Sequence, residues 1–403
     1  MSVSDQASAW TAEMVKHAVH FDQKLGGPDW LRVLRRSGRE RLSSSCLPIG
    51  RDEEWAYTNV RPLLGKQFNI GETSLMAQTQ TASWQPLGTT KPPVATANAG
   101  GFPEHAFTAI NQAFSNTGVC ITVNDDEPGL IEIVHRALNY PDGPVLFTDN
   151  VRVELAPGAR ATVLERWEPI DRPDATLHVP AADFFIAPRA KLRYYRHAPA
   201  DPLAFSFASL RAAVCSEASL DLVLIGSGMA IDRTETTIAL QDSGARVRLE
   251  GSAVLSGSLH NATHTCVHHK APNCSSDQLF KTVLLDGARS SFQGTIEVDR
   301  IAQGTDAFQL SKTLLLDPTS RSDARPQLRI GADQVRCTHG ATAGPLAPEQ
   351  LNYLLSRGIP TGKATGMLVR GFLNEVTRRV DIPEVSTLLN RQVDRSLATL
   401  EAA

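Results

Sequence analysis

A turn built around alanine, in most cases followed by arginine or lysine, recurs through the middle of this 403-residue chain and comes before strand-like segments. A period near 30 residues with several short strands is typical of a solenoid, specifically a β-helix, whose coils bury their inner side chains only against neighbouring coils. The spacings of the marker alanines are 31, 28, 27 and then 43 residues, so the last one requires an insertion or an unrecognised turn. The markers are Ala159, Ala190, Ala218, Ala245 and Ala288.

The segments that follow the turns have strand composition and alternation, as in 130–134, 151–155 and 247–250. Many short strands are also found in a β-sandwich or jelly roll, which is the competing interpretation. The 30-residue period favours the solenoid. Because a solenoid has open ends that invite edge-to-edge pairing, we expect the flanking helical segments to cap it.

Helical periodicity precedes and follows the strand-rich middle. An apolar stripe at helical spacing runs from Trp10 to Phe21, and similar stripes follow residue 344. Residues 71–100 are rich in Thr, Gln, Ala, Gly and Pro, which indicates a linker or a poorly ordered surface segment. We therefore predict an N-terminal helical domain plus linker over 1–100, a β-helix core over 101–344 and a C-terminal helical domain over 345–403.

Composition excludes several classes of protein. A formal net charge of -3 gives no basic field for nucleic acid. No apolar run approaches the ~20 residues that a membrane span needs, and the N-terminal segment lacks the pattern of a secretory signal. Six irregularly spaced cysteines without a Cys-x-x-Cys motif indicate a reducing compartment, so we expect a cytoplasmic protein.

Cys337 and His339 are the first candidates for chemistry. On a strand, residues two apart point to the same face, so a thiol and an imidazole would lie side by side next to Gly340. This pair suits a soft or borderline metal such as iron or zinc. The alternative is a small buried cysteine beside a strand-end histidine held by hydrogen bonds.

A second histidine-rich run covers 260–269. On a strand His260, His264, Cys266 and His268 share a face, whereas His269 lies opposite. This set is a candidate metal site. The alternative is a polar solenoid surface or core histidines satisfied by hydrogen bonds.

The run from Gly358 to Thr365 is not a phosphate-binding loop. Only three residues separate Gly358 from Gly362, and Ala364 stands where a Ser or Thr must bind magnesium. We therefore predict that this chain binds no nucleotide through this run. No strong motif of any enzyme class is present.

Several runs in the second half of the chain, and one near its start, share order and spacing with one known family. They are Leu279-Phe-Lys-Thr-Val-Leu-Leu, Ser291-Phe-Gln-Gly-Thr-Ile-Glu-Val, Ala302-Gln-Gly-Thr-Asp-Ala, Pro326-Gln-Leu-Arg-Ile-Gly-Ala-Asp-Gln-Val-Arg-Cys-Thr-His-Gly-Ala-Thr, Leu354-Leu-Ser-Arg-Gly-Ile and Glu53-Glu-Trp-Ala-Tyr-Thr. In these runs the chain resembles the SufB/SufD family of iron–sulfur cluster assembly proteins. The Cys-Thr-His-Gly-Ala-Thr run at 337–342 is similar to the SufD branch.

The resemblance implies a right-handed parallel β-helix between helical end domains. It implies a complex with SufB and the ATPase SufC, in which a nascent cluster or iron is held transiently near the SufB–SufD interface by His339, with Cys337 as its neighbour. It also implies a scaffold rather than an enzyme, with ATPase activity only in SufC. SufC is expected on the C-terminal helices, at Leu354, Arg357, Gly358, Leu368 and Phe372.

Two other readings are carried forward. One is a stand-alone β-helix protein such as a polysaccharide-active enzyme, which would want a groove lined by carboxylates, basic residues and aromatics. Aromatics make up only 6% of the chain. The other is a homodimer joined through β-helix edges. The sequence carries no feature that would assign a flavin.

Overall fold

The computed structural model describes residues 2–49, 53–89, 105–226, 228–380 and 382–401. The α-helices within these residues are α1 (Val3–Lys24), α2 (Asp29–Ser44), α3 (Ala106–Ala113), α4 (Pro348–Ser356), α5 (Thr361–Thr377) and α6 (Pro383–Glu401). The strands are β1 (Asn69–Ile70), β2 (Glu72–Gln78), β3 (Ser83–Pro86), β4 (Thr117–Val123), β5 (Leu130–Asn139), β6 (Val145–Phe147), β7 (Asp149–Leu155), β8 (Arg160–Trp167), β9 (Thr176–His178), β10 (Ala181–Ile186), β11 (Lys191–His197), β12 (Asp201–Val214), β13 (Ser219–Gly226), β14 (Met229–Leu240), β15 (Arg246–Ser256), β16 (His260–His269), β17 (Ser275–Leu285), β18 (Arg289–Val298), β19 (Asp306–Leu315), β20 (Arg321–Ile330) and β21 (Arg336–Gly344).

From β4 onward the main strands alternate between two parallel sheets, so each coil contributes a strand to both. One sheet has nine strands, in the order β2-β5-β8-β11-β13-β15-β17-β19-β21. The other has twelve, and its main path is β20-β18-β16-β14-β12-β10-β7-β4-β3. Successive coils pair in parallel. The predicted parallel solenoid is therefore confirmed, and the sandwich alternative is wrong because a sandwich is built from antiparallel sheets.

The recurring turn has a simple geometric basis. A residue with positive φ, between 56° and 88°, reverses the chain just before each marker alanine. The alanine is at most 2% exposed, because its small side chain packs where the two sheets approach each other. The turn N–H also bonds to the next coil, as Gly158 does to the Pro188 carbonyl at 2.9 Å. These positive-φ residues are Gly158, Arg189, Glu217, Gly244 and Gly287.

The irregular spacing before Ala288 arises because the markers come from two series of turns. The first four alanines precede strands of the nine-stranded sheet, whereas Ala288 precedes a strand of the other sheet. The next turn of the first series is at Asn273 (φ 57°), followed by Cys274 in the place of alanine. Cys274 is 1% exposed, like the alanines. Ala288 instead precedes β18, which belongs to the twelve-stranded sheet. A turn was therefore unrecognised, and no insertion is needed.

The N-terminal helices cover the outer face of the twelve-stranded sheet. Trp55 lies at the centre of this contact and stacks on Phe107 of α3, which in turn stacks on Phe207 of β12 at a centroid distance of 3.7 Å. The expectation that helices cap the ends is wrong on this side, because these helices lie against a face.

Strands, not helices, cover the N-terminal end of the solenoid. β2 pairs antiparallel with β5, and β3 pairs antiparallel with β4. The linker interpretation of 71–100 is therefore wrong for 71–89, which form these strands and a short 3₁₀ turn. The remainder of that segment, 90–100, lies outside the described residues.

The C-terminal helices α5 and α6 lie on the outer face of the nine-stranded sheet. Arg379 bonds to Glu250 (3.0 Å) and Asp277 (3.1 Å), and Lys281 of β17 bonds to Glu375 (2.5 Å). Val369, Leu373 and other apolar residues of these helices pack on β15 and β17. These helices therefore also leave the end of the solenoid uncovered. None of the described helices is long and apolar enough to cross a membrane.

Candidate functional site

Cys337 and His339 lie on β21, the last strand of the nine-stranded sheet. Their partners in register are Ala307 and Gln309 of β19, which are 2% and 0% exposed. Both side chains therefore point toward the space between the two sheets, as the two-residue spacing predicts. No described strand lies beyond β21, so this inward face is open: His339 is exposed and Cys337 is half-buried.

Cys337 belongs to the small apolar cluster that closes the last coil. The cluster also contains Ile296, Val298, Ala302 and Ala332. Burial and then the nearby Asp306 carboxylate raise the pKa of the Cys337 thiol. The side chain is therefore a neutral thiol at neutral pH, and a metal ion or another cation must displace its proton before the sulfur becomes a strong ligand.

His339 stands at the open end of a column of buried amides. Gln309 lies beneath it in register, and Gln278 lies beneath Gln309. Gln309 Nε2 donates to Gln278 Oε1 at 3.2 Å, and Thr265 Oγ1 donates to the same oxygen at 2.9 Å. Gly294 makes room for the column, since a Cβ there would lie 2.3 Å from Gln309 Nε2.

The amide column ends in an unused acceptor. Gln309 Oε1 is buried and has no hydrogen-bond partner. It belongs to the residue one strand below His339, so the column presents a polar floor under the imidazole. Sequence reasoning missed this feature. The available signal was the repeated inward glutamine at equivalent positions of successive coils.

The thiol and the imidazole do not by themselves make up a metal site. Among the described residues, no group of three or more His, Cys, Asp or Glu side chains is placed to hold a metal ion. Two ligands on one strand need further ligands from elsewhere, because iron and zinc sites in proteins have four or more. A metal ion at this pair would therefore need further ligands from outside the described residues.

The backbone of β21 is also unsatisfied on its outer side. Arg336 N–H donates to the Thr305 carbonyl (2.9 Å), so residue 336 faces β19. Alternate residues of a strand direct their N–H and C=O groups to opposite neighbours, so residues 337, 339 and 341 face away from the sheet. The edge that carries Cys337 and His339 is therefore ready to pair with another strand.

Comparison with known proteins agrees with this architecture. Residues 139–372, more than half of the chain, match the family described as "SUF system FeS cluster assembly, SufBD core domain". The chain belongs to this SufBD family. It is 28% identical to the iron–sulfur cluster assembly protein SufD of Escherichia coli over 84% of this chain and 86% of that protein. It is 27% identical to a SufBD family protein of Mycobacterium tuberculosis (88% and 91% covered) and 23% identical to one of Synechocystis (98% and 99%).

The Glu-Glu-Trp-Ala-Tyr-Thr run that carried the resemblance near the N-terminus binds a buried arginine of this SufBD chain. Arg233 of β14 lies 3.9 Å from the centroid of the Trp55 ring and donates to Thr58 Oγ1 at 3.1 Å. It also pairs with Glu235 at 2.6 Å. Burial opposes ionisation of Glu235, but His105 and Arg233 hold its pKa well below the usual value.

The histidine-rich strand β16 does not gather a metal site. Arg233 Nη2 lies 3.1 Å from His264 Nδ1, and a guanidinium only donates, so this ring nitrogen is occupied as an acceptor. His268 pairs with Asp299 at 2.9 Å. These contacts match the alternative interpretation, of histidines satisfied by hydrogen bonds.

Two further residues of β16 point to the same conclusion. Burial raises the pKa of the Cys266 thiol to about 12, so the sulfur stays protonated. His269 lies on the opposite, inward face, as predicted, and its Nε2 is 2.9 Å from Ser276 Oγ.

A second buried group, at the N-terminal end, was not found from the sequence. His135 bonds through Nδ1 to Asp149 and through Nε2 to Glu165, each at 2.9 Å. Burial alone would lower the pKa of His135, but these two carboxylates raise it. All three side chains are at most 2% exposed. This group ties β5, β7 and β8 together inside the first coils.

The residues expected to meet an ATPase lie in two settings. Leu354 and Arg357 are at the end of α4, a helix with no buried residue, and Gly358 follows with φ 77°. Leu368 is half-buried on α5. Phe372 faces the solenoid instead, because Lys281 Nζ lies 4.4 Å above its ring and donates to its carbonyl.

Proposed function

We propose that this chain is a SufD-type, non-catalytic scaffold subunit of an iron–sulfur cluster assembly complex, and that a nascent cluster is held where its open end meets a SufB-type partner. The observation that carries the proposal is the incomplete ligand pair, Cys337 and His339, on the uncovered strand β21. Family membership supplies the chemistry.

The open end gives a defined mode of association. β20 and β21 are ten and nine residues long, and no described strand pairs with their outer edges. A partner solenoid of the same family presents equivalent edges, so strand addition would continue both sheets from one chain to the other. A SufB-type partner would then place its own ligands opposite His339. A second copy of this chain would give the homodimer.

The ligand chemistry suits assembly followed by release. A cluster held by one thiolate and one imidazole from this chain, with the rest from a partner, binds less firmly than one held by four cysteines on one rigid loop. Separation of the two chains would remove half of the ligands at once. Cluster and iron are therefore cargo of this site.

The C-terminal helices are the proposed docking surface for a SufC-type ATPase. Tyr353 (60% exposed), Leu355 (37%) and Met367 (45%) present apolar side chains to solvent. Leu354, Arg357, Gly358 and Leu368, on or next to the same two helices, are half-buried or exposed. Phe372 would take part only through its free ring edge, since Lys281 covers one face. The six free cysteines are consistent with work in a reducing compartment such as the cytoplasm.

The test is co-expression of this chain with SufB and SufC homologues, comparing wild type with His339→Ala and Cys337→Ala. Complex assembly and anaerobic iron and sulfide content are measured. We expect intact assembly and loss of most of the iron and sulfide for His339→Ala. Thr338→Ala is the matched control, because this exposed side chain lies between the two but on the opposite face of the strand.

Two outcomes would contradict the proposal. A normal cluster content in His339→Ala with intact assembly would leave this chain a structural partner and the histidine a strand-end residue. Failure to associate with either homologue would remove the shared site altogether.

A further inference from the structure

A basic cleft lies on the outer face of the twelve-stranded sheet. Cys337 and His339, by contrast, point inward from the nine-stranded sheet. It is enclosed between the segment 55–61 and the first residues of β16, β18 and β20, and has a volume of about 300 Å³. Its charged and aromatic lining consists of Tyr57, Arg61, His260, Arg289, Arg321 and Asp323.

Three basic residues in this cleft form a column across neighbouring strands. His260 pairs in register with Arg289, and Arg289 pairs in register with Arg321. Neighbouring strands are about 4.8 Å apart, so the two guanidinium groups start from adjacent positions on the same face. Like charges placed directly opposite on a sheet are destabilising. Asp323 offsets the charge of Arg321, so Arg289 is the member of this pair whose charge a bound anion would neutralise.

Among the described residues that line the cleft, Asp323 is the only carboxylate, against the three arginines Arg61, Arg289 and Arg321. Asp323 is committed to Arg321, at 2.8 and 2.9 Å. Within the described part of the chain, the side chains of Arg61 and Arg289 have no carboxylate or other hydrogen-bond acceptor. Burial, and then the charge of Arg289, lower the pKa of His260 to about 4, so its neutral ring adds an N–H donor without further positive charge.

The shape and donors of the cleft indicate one class of ligand. Guanidinium groups present paired N–H donors that match phosphate oxygens. The volume lies at the lower end of small-molecule pockets, which run from roughly 300 to 1,000 Å³. The segment 55–61 closes one side, so an extended acidic chain would not lie along the cleft. We infer that this cleft binds a small phosphate-bearing ligand through Arg61 and Arg289, with the neutral ring of His260 as a further N–H donor.

The proposal does not rest on the cluster-assembly function, and it is tested on the purified full chain. Pyrophosphate is titrated by isothermal calorimetry into wild type, Arg289→Gln and Arg61→Gln. Loss of one charged donor should weaken binding by about tenfold or more. Arg289→Lys keeps the charge without the fork and should fall between wild type and Arg289→Gln.

Arg246→Gln is the matched control, because Arg246 is an exposed arginine at the first position of β15 in the other sheet. Its affinity for pyrophosphate should equal that of wild type. Thermal melting of each variant verifies that it folds. If Arg289→Gln does not fold, Arg61→Gln still tests the cleft, because Arg61 lies in the segment 55–61 and not in a strand of the sheet.

Three results would overturn the inference. Absence of pyrophosphate binding at millimolar concentration would remove the site. An equal loss in Arg246→Gln would show general attraction to a positive surface. If sulfate bound as tightly as pyrophosphate at the same ionic strength, the assignment to phosphate-bearing ligands would be refuted. The cleft would then bind any small dianion.

Discussion

The two ends of the solenoid differ in what lies beyond the last parallel strand. At the N-terminal end each sheet is extended by an antiparallel strand, β2 on β5 and β3 on β4. β3 is only four residues long and ends at Pro86, which cannot donate to a further strand. At the C-terminal end β20 and β21 are long and uncovered among the described residues.

The histidine side chains inside the two ends differ in the same way: one is enclosed at the covered end, and the other is exposed at the open end. Under the covered end, His135 is enclosed with Asp149 and Glu165, and every ring nitrogen has a partner. At the open end His339 is exposed above an amide column whose last acceptor, Gln309 Oε1, is unused. One histidine is fully satisfied and holds coils together. The other is exposed at the uncovered edge. The same residue type is thus enclosed at one end and exposed to solvent at the other.

The largest expected effect is at the covered end. His135→Leu removes the imidazolium and leaves two buried carboxylates without their shared partner, which should lower the free energy of unfolding by about 3–5 kcal/mol. Urea denaturation measures this. Arg136→Gln, one residue further on the same strand, is the control: its ion pair with Glu168 is at the surface, so the change should be below about 1 kcal/mol. Equal effects of the two changes would refute the contrast between buried and exposed charges.

The second prediction concerns pH and is smaller. Because the pKa of His135 is raised in the folded state, its contribution to stability is complete below the unfolded value of about 6.5 and is lost as the pH rises through the folded value. The stability difference between wild type and His135→Leu should therefore shrink from pH 6 to pH 9. Asp149 and Glu165 have lowered pKa values, so their contributions are lost only in acid, outside this range. A difference that grows over this range would contradict the assigned protonation.

The smallest change in stability is expected at the open edge of β21. At this edge, however, a substitution should abolish association with a partner chain. Ala341→Pro removes an N–H that faces away from β19, so the free energy of unfolding should change by less than about 0.5 kcal/mol. Pairing with a SufB homologue, followed by co-purification, should be lost. Thr342→Pro is the matched control: its N–H faces β19, and its loss should cost about 1–3 kcal/mol. Normal association of Ala341→Pro would show that the partner does not add a strand here.

Much of the fold was accessible from local pattern. The marker turn is local, since it needs only a positive-φ residue followed by a small buried one, and the recurrence of its alanine predicted the period. Cys274 in place of alanine hid one turn, because a small thiol fills the same space. Residues 71–89 were misread because short edge strands with few apolar residues resemble a linker in composition.

The candidate site divides along the same line. The shared face of Cys337 and His339 follows from the two-residue period of a strand, and so does the opposite placement of His269. The contact of Arg233 with Trp55 joins residues 178 positions apart, and the His135 group joins three strands from two neighbouring coils. Neither is visible in any local window, because register between coils is decided by many contacts acting together.

The sequence by itself determined the coil, its period and the side chains that point inward, because these depend on turns and alternation within about 30 residues. Only the tertiary structure decided which end of the stack is covered, which histidines are enclosed with hydrogen-bond partners and which are exposed. The physical reason is that every coil has two equivalent surfaces for stacking. Whether a surface becomes core or edge depends on what the rest of the chain brings to it, and here β2 and β3 return to one end while β21 remains open.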